Sequence, residues 1–207
     1  GYLSEDYSPG NVLTEAFGQY DSYTPMQLAQ YAATVANGGN RVAPHIVDSV
    51  YDNDGTTGLG NLSKMIDTNV LNKVNISSDE MAILQQGFYQ VVNSTSGYAT
   101  GTHMRGNVTI AGKTGTAEKL DTKRGGYLAG HYIASFIGFG PVEDPKFVVL
   151  VAIDDPQKGS IYGGQIAAPV FKNIMSQLVR YYQMSPSVKD GATVVASPVA
   201  KLPSVKP

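Results

Sequence analysis

Gly112-Lys113-Thr114-Gly115-Thr116-Ala117-Glu118 sets a cation, two hydroxyls and two residues without side chains in one short row. It follows the apolar Val108–Ala111 and precedes two long apolar runs, so it reads as the end of a strand. Side chains alternate along a strand, so Thr114 and Thr116 share one face, where their hydroxyls could grip one carboxylate together. Lys113 points the other way, toward whatever packs behind the strand. Gly112 and Gly115 weaken a strand interior unless another backbone comes close. Together they describe an edge strand that receives an extended peptide by main-chain pairing, with an anion fixed at its end. Lys-Thr-Gly on its own also recurs by chance wherever a strand runs into a turn. A phosphate-binding loop would need a Gly-rich run ahead of a helix, and none is present.

Downstream, Tyr132–Gly140 and Lys146–Asp154 are apolar runs joined by Pro141–Pro145, whose charge and two prolines suit a hairpin. Phe147 through Ile153 is apolar on both faces, so helices should pack on this sheet. The covering helix is expected in Gln165–Tyr182, with Ile166, Val170, Ile174, Leu178 and Tyr181 along one face. Pro169 lies inside that pattern and places the regular start near itself. Ser185–Pro207 is rich in Pro, Ser, Val and Lys without helical period and reads as an extended linker.

Upstream, residues 1–23 form a loop-rich lead-in with a short helical turn near Leu13–Phe17. Thr24, Pro25 and Gln27 give a capping box with proline at the first helical position, and Asn37-Gly38-Gly39 ends a helix over Pro25–Ala36. Its periodic residues are Leu28, Tyr31, Ala32 and Val35. Arg41–Tyr51 reads as a short extended segment or hairpin, followed by the turn Asp52-Asn53-Asp54-Gly55. A short helix is expected at Asn69–Lys73. Ser77 and Glu80 form a second capping box, with Ile83, Leu84, Phe88, Val91 and Val92 as the apolar stripe. No internal repeat is visible. The order helix, hairpin, helix, three antiparallel strands, helix defines an α+β fold with an antiparallel sheet covered by helices.

Composition narrows the function. Hydrophobic residues are 42% and charged residues 15%, enough to bury a core. Lys plus Arg is 15 against 17 Asp plus Glu, so no basic surface for nucleic acid is indicated. Cysteine is absent, which excludes disulfides, Cys-zinc sites and thiol nucleophiles and suits an exported Gram-positive protein. No run approaches the roughly 18 apolar residues of a membrane span. The first residue is Gly1 and no signal peptide is visible, so the chain reads as a piece of a longer polypeptide.

Lys113-Thr114-Gly115-Thr116, the two apolar strands, Tyr162-Gly163-Gly164 and a final helix occur in an order that resembles the C-terminal half of the penicillin-binding transpeptidase fold, shared by serine β-lactamases. Gly18-Gln19-Tyr20, Thr24 through Gln30, Ala36 through Gly39, Tyr132 through Phe139, and Ala167 through Phe171 look like class B penicillin-binding proteins in particular. The resemblance covers roughly residues 10–184, leaving 185–207 as an extension. It implies acylation of a serine by the D-Ala-D-Ala end of peptidoglycan stem peptides, release of the last D-Ala, transfer to an amine, and β-lactam binding. It implies that Lys113 supplies positive charge to the proton-transfer network. Thr114 and Thr116 hold the terminal carboxylate, and Gly115 lets the substrate backbone approach. The Thr116 N–H becomes one of two oxyanion donors, each typically worth roughly 3–4 kcal/mol. No metal or organic cofactor is implied. The further partners implied are the remainder of the same polypeptide and a membrane glycan polymerase. The place implied is the extracytoplasmic membrane face, reached through an anchor ahead of Gly1.

The sequence departs from the family in one respect. No serine has Lys three residues later or Asn two residues later, so the Ser-x-x-Lys and Ser-x-Asn motifs are absent and this piece alone should be inactive. A non-catalytic β-lactam sensor or stem-peptide-binding module of the same fold is the alternative. A β-lactamase fragment fits the Thr24–Gly39 signature and the proline-rich tail less well. Glu118–Gly130 reads as a solvated loop or a flap over the cleft. Tyr162-Gly163-Gly164 reads as a turn or as a cleft wall in which Tyr162 contacts the ligand. His45, His103 and His131 are scattered without metal-ligand spacing. Asp154 and Asp155 read as a turn cap, and Tyr181-Tyr182 as packing.

Overall fold

In the computed structural model, residues 9–15, 18, 21–53, 55, 58–94, 108–121 and 123–185 are described. The expected extension 185–207 therefore lies almost wholly outside the described residues, as does His103. A short helix α1 spans Pro9–Glu15, earlier than the turn expected near Leu13–Phe17. Helix α2 spans Pro25–Ala36, the span its caps predict. The Thr24 hydroxyl accepts the Gln27 backbone N–H at 3.2 Å and the Gln27 side-chain Oε1 accepts the Thr24 N–H at 2.9 Å. Helix α3 spans Ser78–Asn93 behind the Ser77–Glu80 box.

Between them lie four short strands, β1 (Asn40–Val42), β2 (Ser49–Asn53), β3 (Leu59–Met65) and β4 (Val70–Lys73). They pair antiparallel as β1 with β4 and β2 with β3. Two expectations change here. Arg41–Tyr51 divides between two separate pairs instead of folding on itself. Asn69–Lys73 is strand rather than helix, because five residues cannot repay helix nucleation while pairing with β1 is available. Arg41 Nε donates to Asn72 Oδ1 at 2.7 Å across that pair.

The main sheet is three-stranded, in order β5 (Ala111–Leu120), β6 (Tyr127–Gly140), β7 (Phe147–Asp154), all antiparallel. Much of the expected loop 118–130 is strand, with β5 running to Leu120 and β6 starting at Tyr127. The Asp121 N–H donates to the Gly126 carbonyl at 2.9 Å, and Asp121 Oδ1 accepts the Lys123 and Arg124 N–H groups.

Helix α4 runs Gly163–Tyr181 with Pro169 inside it, so it begins six residues before the proline instead of near it. The missing N–H of Pro169 is outweighed by packing, since Ala167, Ala168 and Phe171 are completely buried. The buried face is also not the one expected. Ala167, Phe171 and Met175 meet the sheet, while Val170, Ile174 and Tyr181 are exposed. On α3, Met81, Tyr89 and Val92 are buried and Ile83 and Leu84 exposed; on α2, Tyr31 is exposed.

The core has two parts, one on each face of the sheet. Phe136, Ala167, Ala168, Phe171 and Met175 pack between α4 and the sheet, joined by Val149, Val151, Ile110 and, from α3, Val92. Ala36, Tyr89, Ala111 and Phe139 pack on the other face beneath α2 and α3. Both faces of β7 are therefore served by helices, as its unbroken apolar run demands.

Candidate active site

Strand β5 is an edge. Its inner side pairs with β6 over Ala111–Leu120, and among the described residues no strand lies on its outer side. The register places Thr114 opposite Phe136 and Thr116 opposite Ala134, so both threonines stand on the α4 face. Lys113 opposes Ile137 on the face of α2 and α3. Thr114 is half-buried and Thr116 exposed, so neither hydroxyl is sealed in the core.

Lys113 Nζ donates to the Thr114 carbonyl at 2.8 Å. The residue as a whole is exposed, yet the protein mass around its ammonium displaces water and lowers its pKa below the ordinary lysine value. A lysine in that condition is easier to deprotonate, which suits a group in a proton-transfer network.

Gly115 opposes Ser135, and a Cβ on Gly115 would run into Ser135 Oγ. The hydroxyl of β6 thus takes the place a residue-115 side chain would occupy on the Lys113 face. Gly112 is tighter, because a Cβ there would lie 2.6 Å from the Phe136 ring. Gly112 is thus required by the core, whereas Gly115 faces only a side-chain hydroxyl that can turn away.

The first turn of α4 reaches the same point from the other face. Gly163 N–H donates to Thr116 Oγ1 at 3.3 Å. A Cβ on Gly163 would collide with the Ser135 and Gly115 carbonyl oxygens, so only glycine brings the helix this close. Tyr162, the N-cap of α4, is 58% exposed and stands beside Thr116 through this contact. The structure thus brings Lys113, Thr114, Gly115, Thr116 and Tyr162 together along the middle of the β5 edge, not at a strand end as expected, because pairing with β6 carries the strand on to Leu120. Gly163 was read from the sequence only as part of a turn or wall. Its signal was the Gly163-Gly164 pair ahead of a helix, but its partner is 47 residues away.

The remaining candidates lie elsewhere. Lys119 Nζ meets Asp154 Oδ1 at 2.7 Å, and that hydrogen bond raises the Lys119 pKa. His131 Nδ1 lies 2.9 Å from Asp155 Oδ1, with Asp155 at φ 53°. The two aspartates thus take separate partners. His45 Nδ1 pairs with the Val47 carbonyl at 2.8 Å. Tyr182 packs on Phe147 with ring centroids 4.8 Å apart, while Tyr181 is 81% exposed. Among the described residues, no cluster of three His, Cys, Asp or Glu side chains could hold a metal, and no helix is long and apolar enough to cross a membrane. A cavity of about 370 Å³ between Pro141, Lys146 and Met184 lies at the far end of the sheet. From Ala134 to the end of β6 at Gly140, next to this cavity, the strand rises six steps, about 20 Å, so the cavity is not part of this site.

An edge strand bearing Lys-Thr-Gly-Thr, backed by a glycine-led helix, defines the class of a penicillin-binding transpeptidase domain. The penicillin binding protein transpeptidase domain family matches residues 1–176, and the chain belongs to that family. It is 40% identical over 190 residues to penicillin-binding protein 2B of Streptococcus pneumoniae (strain ATCC BAA-255 / R6), covering 89% of this chain and 26% of that protein. It is 36% identical over 172 residues to stage V sporulation protein D of Bacillus subtilis (strain 168), covering 83% and 25%. The solved structure of penicillin-binding protein 2B from Streptococcus pneumoniae (strain R6) superposes with a TM-score of 0.72 at 40% identity, over 89% of this chain and 29% of that one. The chain therefore spans about a quarter of the length of the relatives it matches.

Proposed function

We propose that residues 1–184 are the C-terminal part of the transpeptidase domain of a peptidoglycan D,D-transpeptidase, with 185–207 an extension beyond it. The observation that carries the reading is the β5 edge, unpaired among the described residues, with Thr114 and Thr116 unsealed on one face and Lys113 on the other. A stem peptide pairs along that edge, and its terminal carboxylate meets the two threonine hydroxyls. A serine from the remainder of the polypeptide attacks the penultimate carbonyl. The Thr116 N–H stabilises the oxyanion, and Lys113 supports the proton transfer. The serine ester forms as the last peptide bond breaks and D-Ala leaves. An amine of a neighbouring stem then takes the acyl group and regenerates the serine. β-Lactams occupy the same place through their own carboxylate. Tyr162 contacts the ligand from the α4 side. The work site is the extracytoplasmic face of the membrane, reached through an anchor elsewhere in the protein, with a membrane glycan polymerase as a partner. The piece alone lacks the nucleophile and turns nothing over.

The test is labelling of the full-length protein with fluorescent penicillin. Lys113→Ala should slow acylation on the order of 100-fold, the size of a lost proton-transfer group. Thr116→Val should slow it about tenfold or more, the size of a lost hydrogen bond to a charged group. Unchanged rates in both variants would remove the assigned roles.

A further inference from the structure

Helix α4 has no side-chain cap of its own, because Tyr162 stands at the N-cap and makes no capping bond. The N–H groups of Gln165 and Ile166 turn back to the Tyr162 carbonyl at 2.9 and 3.1 Å. The Gly163 N–H instead goes across to Thr116 Oγ1, so a residue of β5 serves the helix end. A hydroxyl carries one proton and two lone pairs. With its oxygen engaged by Gly163, the Thr116 proton must point elsewhere, and among the described residues no acceptor receives it. Among the described residues no backbone N–H is bonded to the Thr114 hydroxyl as Gly163 is to that of Thr116.

We infer that Gly163 is a positioning residue for carboxylate recognition: its N–H fixes Thr116 as a hydrogen-bond donor toward the ligand, so Thr116 rather than Thr114 sets the preference for a charged terminus. The inference rests on the carboxylate reading of this edge given above. Orientation is the reason for the asymmetry. A hydroxyl whose oxygen is already held by an N–H has fewer orientations to lose on binding an anion, and a donor to a carboxylate is about twice as strong as a neutral one. Only glycine can hold this place, because a Cβ would strike the Gly115 and Ser135 carbonyl oxygens.

The experiment compares acylation of the full-length protein by benzylpenicillin and by its methyl ester, and reads the ratio of the two rates. Thr116→Val should lower the ratio about tenfold, Thr114→Val less than about threefold, and Thr116→Ser should keep it. Gly163→Ala should lower the ratio with both threonines in place. Because that variant disturbs packing, amide hydrogen exchange of the wild-type segment Tyr162–Ile166 provides a second readout. Benzylpenicillin should slow exchange at Gly163, the ester should not, and Thr116→Val should abolish the difference. Equal losses in the two valine variants, or Gly163 exchange indifferent to Thr116, would overturn the inference while leaving the transpeptidase reading intact. A wild-type protein acylated by neither compound would sink both.

Discussion

A Cβ on Gly112 would lie 2.6 and 2.7 Å from Phe136 ring atoms and 2.8 Å from the Ile137 carbonyl oxygen. Phe136 is completely buried against Phe171, with ring centroids 4.8 Å apart, so it has nowhere to retreat. The residue before the lysine is therefore fixed by the core rather than by the ligand. Gly112→Ala should destabilise the domain by about 1–3 kcal/mol, the usual cost of overpacking. Gly115→Ala should cost less, because the atom it meets is the Ser135 hydroxyl, the movable end of a side chain. Urea midpoints of the two variants measure the difference, and a Gly115→Ala loss as large as that of Gly112→Ala would contradict this account.

At the scale of the element, two capping boxes of the same pattern differ in charge. Gln27 closes the box of α2, and Glu80 closes that of α3. The Glu80 carboxylate accepts the Ser77 N–H at 2.7 Å and the Ser77 hydroxyl at 2.8 Å, and these bonds lower its pKa. A carboxylate whose folded pKa is depressed adds stability above its unfolded pKa, and that contribution is lost as pH falls through the folded value. Thr24→Ala should cost about 1 kcal/mol, and this cost should not change with pH. The destabilisation from Glu80→Gln should be present at neutral pH and fade in acid. Thermal unfolding of the variants from pH 7 down to pH 3 would show the two patterns, and a pH-independent effect of Glu80→Gln would refute the second.

These boxes were legible because Thr24–Gln27 and Ser77–Glu80 signal within four residues. The strand runs around Lys113, Phe136 and Val149 were legible from their apolar pattern. The burial choice was not. Helix α4 offers Ile166, Val170 and Ile174 as a larger stripe, yet Ala167, Phe171 and Met175 face the sheet. Small residues let the helix approach, and Phe171 fills the space over Gly138, where a Cβ would meet its ring at 2.8 Å. That fit belongs to two elements together and leaves no mark on either alone. The same holds for the site. Lys113 through Thr116 announce themselves as neighbours in the chain. The bond from Gly163 to Thr116 exists only once α4 lies on the sheet.

For the whole molecule, the three-stranded sheet acts as a partition. Phe136 and Phe139 are both fully buried on β6 but belong to separate clusters, one under α4, which Ile110 and, from α3, Val92 also join, and one under α2 and α3. Phe136 touches Phe171 across the α4 interface, and Phe139 meets Phe88 with ring centroids 5.9 Å apart. Energetic coupling between side chains follows shared contacts, so for these two phenylalanines it should run across each face rather than through the sheet. A double-mutant cycle of Phe136→Leu with Phe171→Leu should give a coupling of about 0.5–1.5 kcal/mol, the range for packed aromatic pairs. The cycle of Phe136→Leu with Phe139→Leu should stay within about 0.5 kcal/mol of additivity, although the two residues are only three apart in the chain. Leucine keeps most of the buried volume, so each variant should remain folded for denaturant unfolding. Strong coupling between Phe136 and Phe139 would mean that the faces share one core. Helix α4 would then respond to changes beneath α2 and α3, and Gly163 would not hold Thr116 independently of the Lys113 face.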